Sequence, residues 1–160
     1  MRKLGAPLNE EFAIGSLVKG NPERVILNED AICKLRIEKE YIDEVVSKER
    51  NELHRREELY RGSQNVLSNL KDKRVILIDD GVATGYTIKA ALTAIHEQEP
   101  DSIIVAVPVA SFDALKELNH LADSVIVVET PEPFWSVGAH YEQFNQTSDT
   151  EVVKLLNKFH

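Results

Sequence analysis

A chain of 160 residues, 42% of them hydrophobic, is long enough to enclose one sizeable core and short for two, so a single domain over residues 1–160 is expected. Its net charge of −8 repels phosphate backbones at long range, which argues against broad nucleic-acid binding and obliges any bound polyphosphate to meet a local basic cluster or a metal. The one cysteine, Cys33, cannot form an internal disulfide, and no N-terminal apolar run has the form of a signal peptide or membrane anchor, so a soluble cytoplasmic protein is expected.

The first residues, Met1 to Leu8, are short and basic and predict no element of their own; Arg2 and Lys3 at their head suggest a frayed terminus. Phe12 to Val18 and Arg24 to Leu27 are apolar runs separated by Lys19, Gly20, Asn21 and Pro22, a pattern that predicts a β-hairpin. From Ile37 to Tyr60, the residues Ile37, Tyr41, Ile42, Val45, Val46, Leu53 and Leu59 recur at roughly helical spacing between charges and predict one long amphipathic helix. Arg61 to Lys73 is polar and predicts a loop.

The second half alternates: VILID (Val75 to Asp79), a helical pattern from Tyr86 to Gln98, IIVAVPV (Ile103 to Val109), a helix from Phe112 to Leu121, and SVIVVE (Ser124 to Glu129). Continuous β-branched runs joined by helices predict a parallel sheet covered on both faces, hence the α/β class. After Pro131 the chain is irregular and aromatic, and a last helix is expected from Thr150 to Phe159.

In an open parallel sheet, ligands bind at the carboxyl ends of the strands, where a turn into a helix offers unpaired amides to an anion. VILIDDGVATGYT (Val75 to Thr87) is built this way. Asp79 and Asp80 emerge at the strand end, and the small residues Gly81, Ala83, Thr84, Gly85 and Thr87 let the backbone close on a phosphate while the threonine hydroxyls donate to it. Two adjacent carboxylates can instead accept from a vicinal diol, each charge-assisted hydrogen bond contributing about 1.5–3 kcal/mol. An apolar strand ending in two acids also occurs as a Walker B or receiver-domain strand. The nearest P-loop candidate, GSLVKGNP from Gly15, offers Asn21 and Pro22 where Lys and Ser/Thr are required, and a receiver strand would not need the small and hydroxyl residues that follow.

Four apolar residues, two acids and a Thr/Gly/Ala turn resemble the signature of the type I phosphoribosyltransferases. The resemblance implies a Rossmann-like parallel sheet flanked by helices, here preceded by a β-hairpin and a long helix. It implies that Asp79 and Asp80 hold the ribose hydroxyls of phosphoribosyl pyrophosphate, that the turn of Gly81, Val82, Ala83, Thr84, Gly85, Tyr86 and Thr87 holds its 5-phosphate, and that Mg2+ accompanies the substrate. TPEPFWSVGAHY (Thr130 to Tyr141) is similar to the purine-salvage members, which makes Phe134 or Trp135 a base-stacking candidate, although such rings also simply cover sheet edges. Arg55 and Arg56, with Arg61, fall where the family often places a mobile catalytic loop and could meet pyrophosphate; the bland alternative is an exposed helix face, since Glu52 with Arg56 and Glu57 with Arg61 are i,i+4 pairs. Lys3 and Arg2 are the other pyrophosphate candidates.

Two departures from the family stand out. The strand and loop that wrap pyrophosphate are not found ahead of Arg2, so an N-terminally short domain is expected, with transfer as one outcome, a non-catalytic nucleotide or ribose-phosphate sensor as another, and an unpaired sheet edge open to homodimer formation as a third. Ala83 stands where hypoxanthine–guanine enzymes carry an aspartate, so the turn is closer to the adenine type while the tail is closer to the hypoxanthine type. The whole pattern, from RKLGAP through RREELYRG to TPEPFWSVG, is most similar to bacterial phosphoribosyltransferase-domain proteins. The five histidines show no ligand spacing, and no metal cage made of protein ligands is expected.

Overall fold

Leu4 and Ala6 are buried on alternate positions of a five-residue strand, β1 (Arg2–Ala6), that the sequence pattern does not announce. The computed structural model describes residues 1–19, 23–61 and 69–158, which fall into two compact units, Met1–Ser68 with Asn145–His160 and Asn69–Phe144. In the first unit, β1 pairs antiparallel with β2 (Asn9–Val18), Leu4 opposite Gly15, and β2 pairs with β3 (Arg24–Leu27), Gly15 opposite Leu27. The expected hairpin is therefore present, with residues 20–22 of its turn outside the described residues, and Arg2 and Lys3 lie in a paired strand rather than a frayed end. Gly5 explains how β1 fits: a Cβ there would stand 2.8 Å from Glu10 Cα.

Ahead of the expected long helix stands a short one that the periodicity does not predict. Asn28 caps α1 (Glu29–Leu35), its Oδ1 accepting from the Ala31 amide at 3.0 Å, and Arg36 ends it in the left-handed region at φ 50. Then α2 (Lys39–Arg61) lays Tyr41, Ile42, Val45, Val46 and Leu53 against Leu4, Ala6, Ile14 and Leu17, the apolar stripe that its periodicity predicts. Residues 62–68 of the expected loop lie outside the described residues, and Lys73 closes its end by donating to the Leu70 carbonyl at 3.0 Å.

The second unit runs β4 (Arg74–Ile78), α3 (Tyr86–His96), β5 (Ser102–Val109), α4 (Phe112–Leu118) and β6 (Ser124–Glu129), within a residue of the expected strand limits. The strands are parallel in the order β4-β5-β6, Val75 opposite Ile103 and Val107 opposite Val127. Ile103, Val105 and Val107 meet Ile88 and Leu92 of α3 and Ala114 and Leu118 of α4 in one buried cluster. Both helices of this unit thus lie on one face of its sheet, because crossovers of one hand that add strands in sequence order keep their helices on the same side. Ile76, Ile78, Ile126 and Val128 alternate with the core residues and are exposed. In the first unit the chain ends in α5 (Asp149–Leu156), opened by a capping box of Ser148 and Glu151; Phe159 lies outside the described residues. Among the described residues no helix is long and apolar enough to cross a membrane.

Candidate functional site

Strand pairing lapses for three residues at the end of β4 and resumes at Val82, whose amide donates to the Val109 carbonyl and whose carbonyl accepts from the Ser111 amide, both at 2.9 Å. Asp79, Asp80 and Gly81 form the step between. Asp79 is half-buried and its Oδ1 accepts from the Asp80 amide at 3.1 Å, while the Asp80 side chain is exposed. Burial pushes the Asp79 carboxyl above its ordinary range, the Asp80 amide pulls it back, and the Asp80 charge pushes it further up. Gly81 is fixed by crowding, since a Cβ would come within 2.7 Å of Cγ1 of both Val109 and Val137.

From Val82 the chain turns through exposed Ala83 and Thr84 to Gly85, which takes φ +74. Ser111 Oγ donates to the Ala83 carbonyl at 2.6 Å and steadies the turn against the start of α4. Gly85 is the N-cap of α3, no side chain caps that helix, and its first turn carries no acid. The amides at the head of an uncapped helix and the positive end of its dipole are together suited to an anion. Lys89, one turn on, sits over the Tyr86 ring at 5.1 Å and is ion-paired with Glu117.

The aromatic tail reaches the same strand end. Val137 opens a 3-10 turn (Val137–His140), and Tyr141, just beyond it, donates its hydroxyl to the Asp80 carbonyl. Partial burial, then the Asp80 and Asp79 charges, push the Tyr141 phenol above its ordinary range. The Tyr141 ring rests 5.1 Å from that of Phe144. Phe134 stacks at a tilt on His140, with centroids 5.2 Å apart, whereas Trp135 is 80% exposed. Of the two ring candidates, Phe134 already has a partner on one side and Trp135 is uncovered. Tyr141 is the contact that sequence reasoning missed; the tail's position after the last parallel strand signals only that it lies near the strand ends.

Asp79, Asp80, the turn from Gly81 to Thr87, Phe134 and Trp135 thus all belong to the second unit, and Lys3, Arg55 and Arg56 to the first. Lys3 lies on β1 opposite Ser16. Arg55 grips Glu52 through Nε at 2.7 Å and Nη2 at 2.9 Å and reaches Asp149 of α5 at 2.8 Å; Arg56 meets Glu52 at 2.6 Å. The two guanidiniums hold the Glu52 carboxyl down at about 2. The Glu52–Arg56 pair is the i,i+4 contact expected of an exposed helix face, while Glu57 pairs with Lys19 at 2.5 Å.

Comparison with known proteins places these features in a lineage. Residues 25–143 match the phosphoribosyl transferase domain family. Two Mycobacterium tuberculosis proteins, "Putative phosphoribosyl transferase Rv0571c" of strain H37Rv and "Putative phosphoribosyl transferase MT0597" of strain CDC 1551, are each 35% identical over all 160 residues, and the chain spans 35% of the length of each. The crystal structure of TT1426 from Thermus thermophilus is 35% identical and superposes with a TM-score of 0.68, covering 98% of this chain and 73% of that one.

Proposed function

This chain belongs to the phosphoribosyl transferase domain family, and from that premise we propose that it transfers a phosphoribosyl group from phosphoribosyl pyrophosphate to a nitrogen acceptor such as a nucleobase, releasing pyrophosphate. The observation that carries the reading is the succession at the end of β4: a half-buried and an exposed carboxylate, followed directly by a small-residue turn into an uncapped helix. Asp79 and Asp80 accept from the 2- and 3-hydroxyls of the ribose, and the turn from Gly81 to Thr87 donates to the 5-phosphate. The acceptor nitrogen attacks the anomeric carbon as the bond to pyrophosphate breaks, through a transition state of oxocarbenium character. Holding both ends of the sugar fixes that carbon for attack, and nearby carboxylates favour its developing positive charge. Trp135, uncovered, or Phe134 orients the acceptor base.

Magnesium, in this reading, arrives on the oxygens of the substrate's pyrophosphate. Among the described residues there is no group of three or more His, Cys, Asp or Glu that could hold a metal ion. Bound to that pyrophosphate, magnesium would offset charge on the leaving group. Isothermal titration with phosphoribosyl pyrophosphate and Mg2+ tests the reading: binding heat is expected, and Asp79→Asn and Asp80→Asn should each remove most of it. Unchanged heat in both variants would refute it.

One observation favours a second reading, a ribose-phosphate or nucleotide sensor without turnover: Arg55 and Arg56 are engaged by Glu52 and Asp149. Pyrophosphate release measured over a panel of nucleobases separates the two, because a sensor binds and releases none. Either way we propose a cytoplasmic protein with a small-molecule ligand and no nucleic-acid partner, and sedimentation at several concentrations tests for a homodimer.

A further inference from the structure

Asp80 is held at both of its peptide groups, and by different parts of the chain. Its amide donates to Asp79 Oδ1 at 3.1 Å, and its carbonyl accepts from the Tyr141 hydroxyl. Neither bond belongs to the sheet, because pairing stops at Ile78 and resumes at Val82. The Asp80 side chain itself is exposed, so packing does not set its direction. Its carboxylate therefore takes its aim from the backbone beneath it, and that backbone is fixed by one bond from its neighbour and one from the tail.

We propose that Tyr141 is a positioning residue for the acid pair: by holding the Asp80 carbonyl it turns the Asp79 and Asp80 carboxylates toward the same sugar diol. The assignment rests on the reading above that these acids take the ribose hydroxyls. The tail is tied down twice over a short span, by Val137 against Gly81 and by Tyr141 against Asp80, with the 3-10 turn between as a spacer. The Phe144 ring backs the Tyr141 ring and limits its swing. Burial, and after it the nearby Asp80 and Asp79 charges, raise the Tyr141 phenol, in keeping with a ring beside the acid pair. The same anchoring carries Phe134 and Trp135 on the segment that leads into Val137, so the sugar clamp and the candidate base platform share one support.

Ribose 5-phosphate and inorganic phosphate differ by the sugar alone, so their affinities separate the clamp from the cradle. Tyr141→Phe removes one neutral hydrogen bond while keeping the ring; it should weaken ribose 5-phosphate about 3- to 10-fold and leave inorganic phosphate within about 2-fold. A variant that loses both ligands equally, or neither, overturns the assignment. If the parent protein binds ribose 5-phosphate no better than phosphate, the diol reading falls first and the positioning role with it. A second readout needs no ligand: in protein labelled with 3-fluorotyrosine, which has four tyrosine sites, the 19F signal absent from Tyr141→Phe identifies residue 141. That signal should move in Asp80→Asn and on adding ribose 5-phosphate. A signal indifferent to Asp80→Asn shows that the Tyr141 ring does not lie beside the Asp80 carboxylate, which overturns the assignment.

Discussion

Replacing Gly85 with alanine isolates the cost of one backbone angle. Gly85 holds φ +74 at the head of α3, and a residue bearing a Cβ pays about 1–2 kcal/mol to enter the left-handed region. Crowding adds little, because the atoms nearest to an added Cβ are Lys89 Cε at 3.4 Å and Ala114 Cβ and Val82 Cγ1 at 3.8 Å. The expected loss is therefore the conformational term alone, a fall in melting temperature of about 2–8 °C for a chain of this size. Asparagine tolerates the same region better, so Gly85→Asn should lose roughly half as much. Differential scanning calorimetry of the three proteins measures both. Because the same angle aims the first amides of α3, phosphate affinity should fall in the same order. Equal losses for alanine and asparagine, or an alanine variant melting within about 1 °C of the parent, would refute the argument from φ.

Burial of Asp79 comes at a cost to stability. Burial holds its folded pKa above the ordinary value, so the folded state binds more protons across that window and stability falls as pH rises through it; Asp79→Asn should melt higher than the parent at pH 7, the difference closing in acid below the ordinary carboxylate range. Asp149 has the opposite sign. The Tyr60 hydroxyl and then Arg55 depress its folded pKa, so its contribution is complete above the ordinary aspartate value and is lost as pH falls through the folded one. Asp149→Ala at pH 7 should copy the acid state, with α5 amides exchanging hydrogen faster while those of β5 keep their protection. Trp135 is the only tryptophan and serves as its own reporter: a stacked base should quench its emission saturably in the presence of phosphoribosyl pyrophosphate and Mg2+. Emission unmoved by every nucleobase would remove it as a platform.

The strands β4, β5 and β6 were legible because each is a run of β-branched residues long enough to exclude other states. β1 was not, because RKLGA has too few apolar positions; it is a strand through its pairing with β2 and the close approach at Gly5, both long-range facts. α1 could have been found from Asn28 followed by Glu29 and Asp30, a cap and two first-turn acids. IIVAVPV is as apolar on its outward positions as on its inward ones, so composition cannot tell which side the helices take, whereas strand order can. At the site, the acids and the turn could be placed because both are consecutive residues on one strand and helix. The bond from Tyr141 to Asp80 joins residues 61 apart, and no local pattern encodes it.

The squeeze around Gly81 makes that position a gauge of the tail. Val109 belongs to the sheet and Val137 to the aromatic segment, and each would meet the same added methyl at 2.7 Å. An alanine there is a wedge, tolerable only if the segment lifts away. How far Gly81→Ala frees Trp135 to tumble, read as a drop in fluorescence anisotropy, would thus measure how firmly the aromatic segment is held against the strand end.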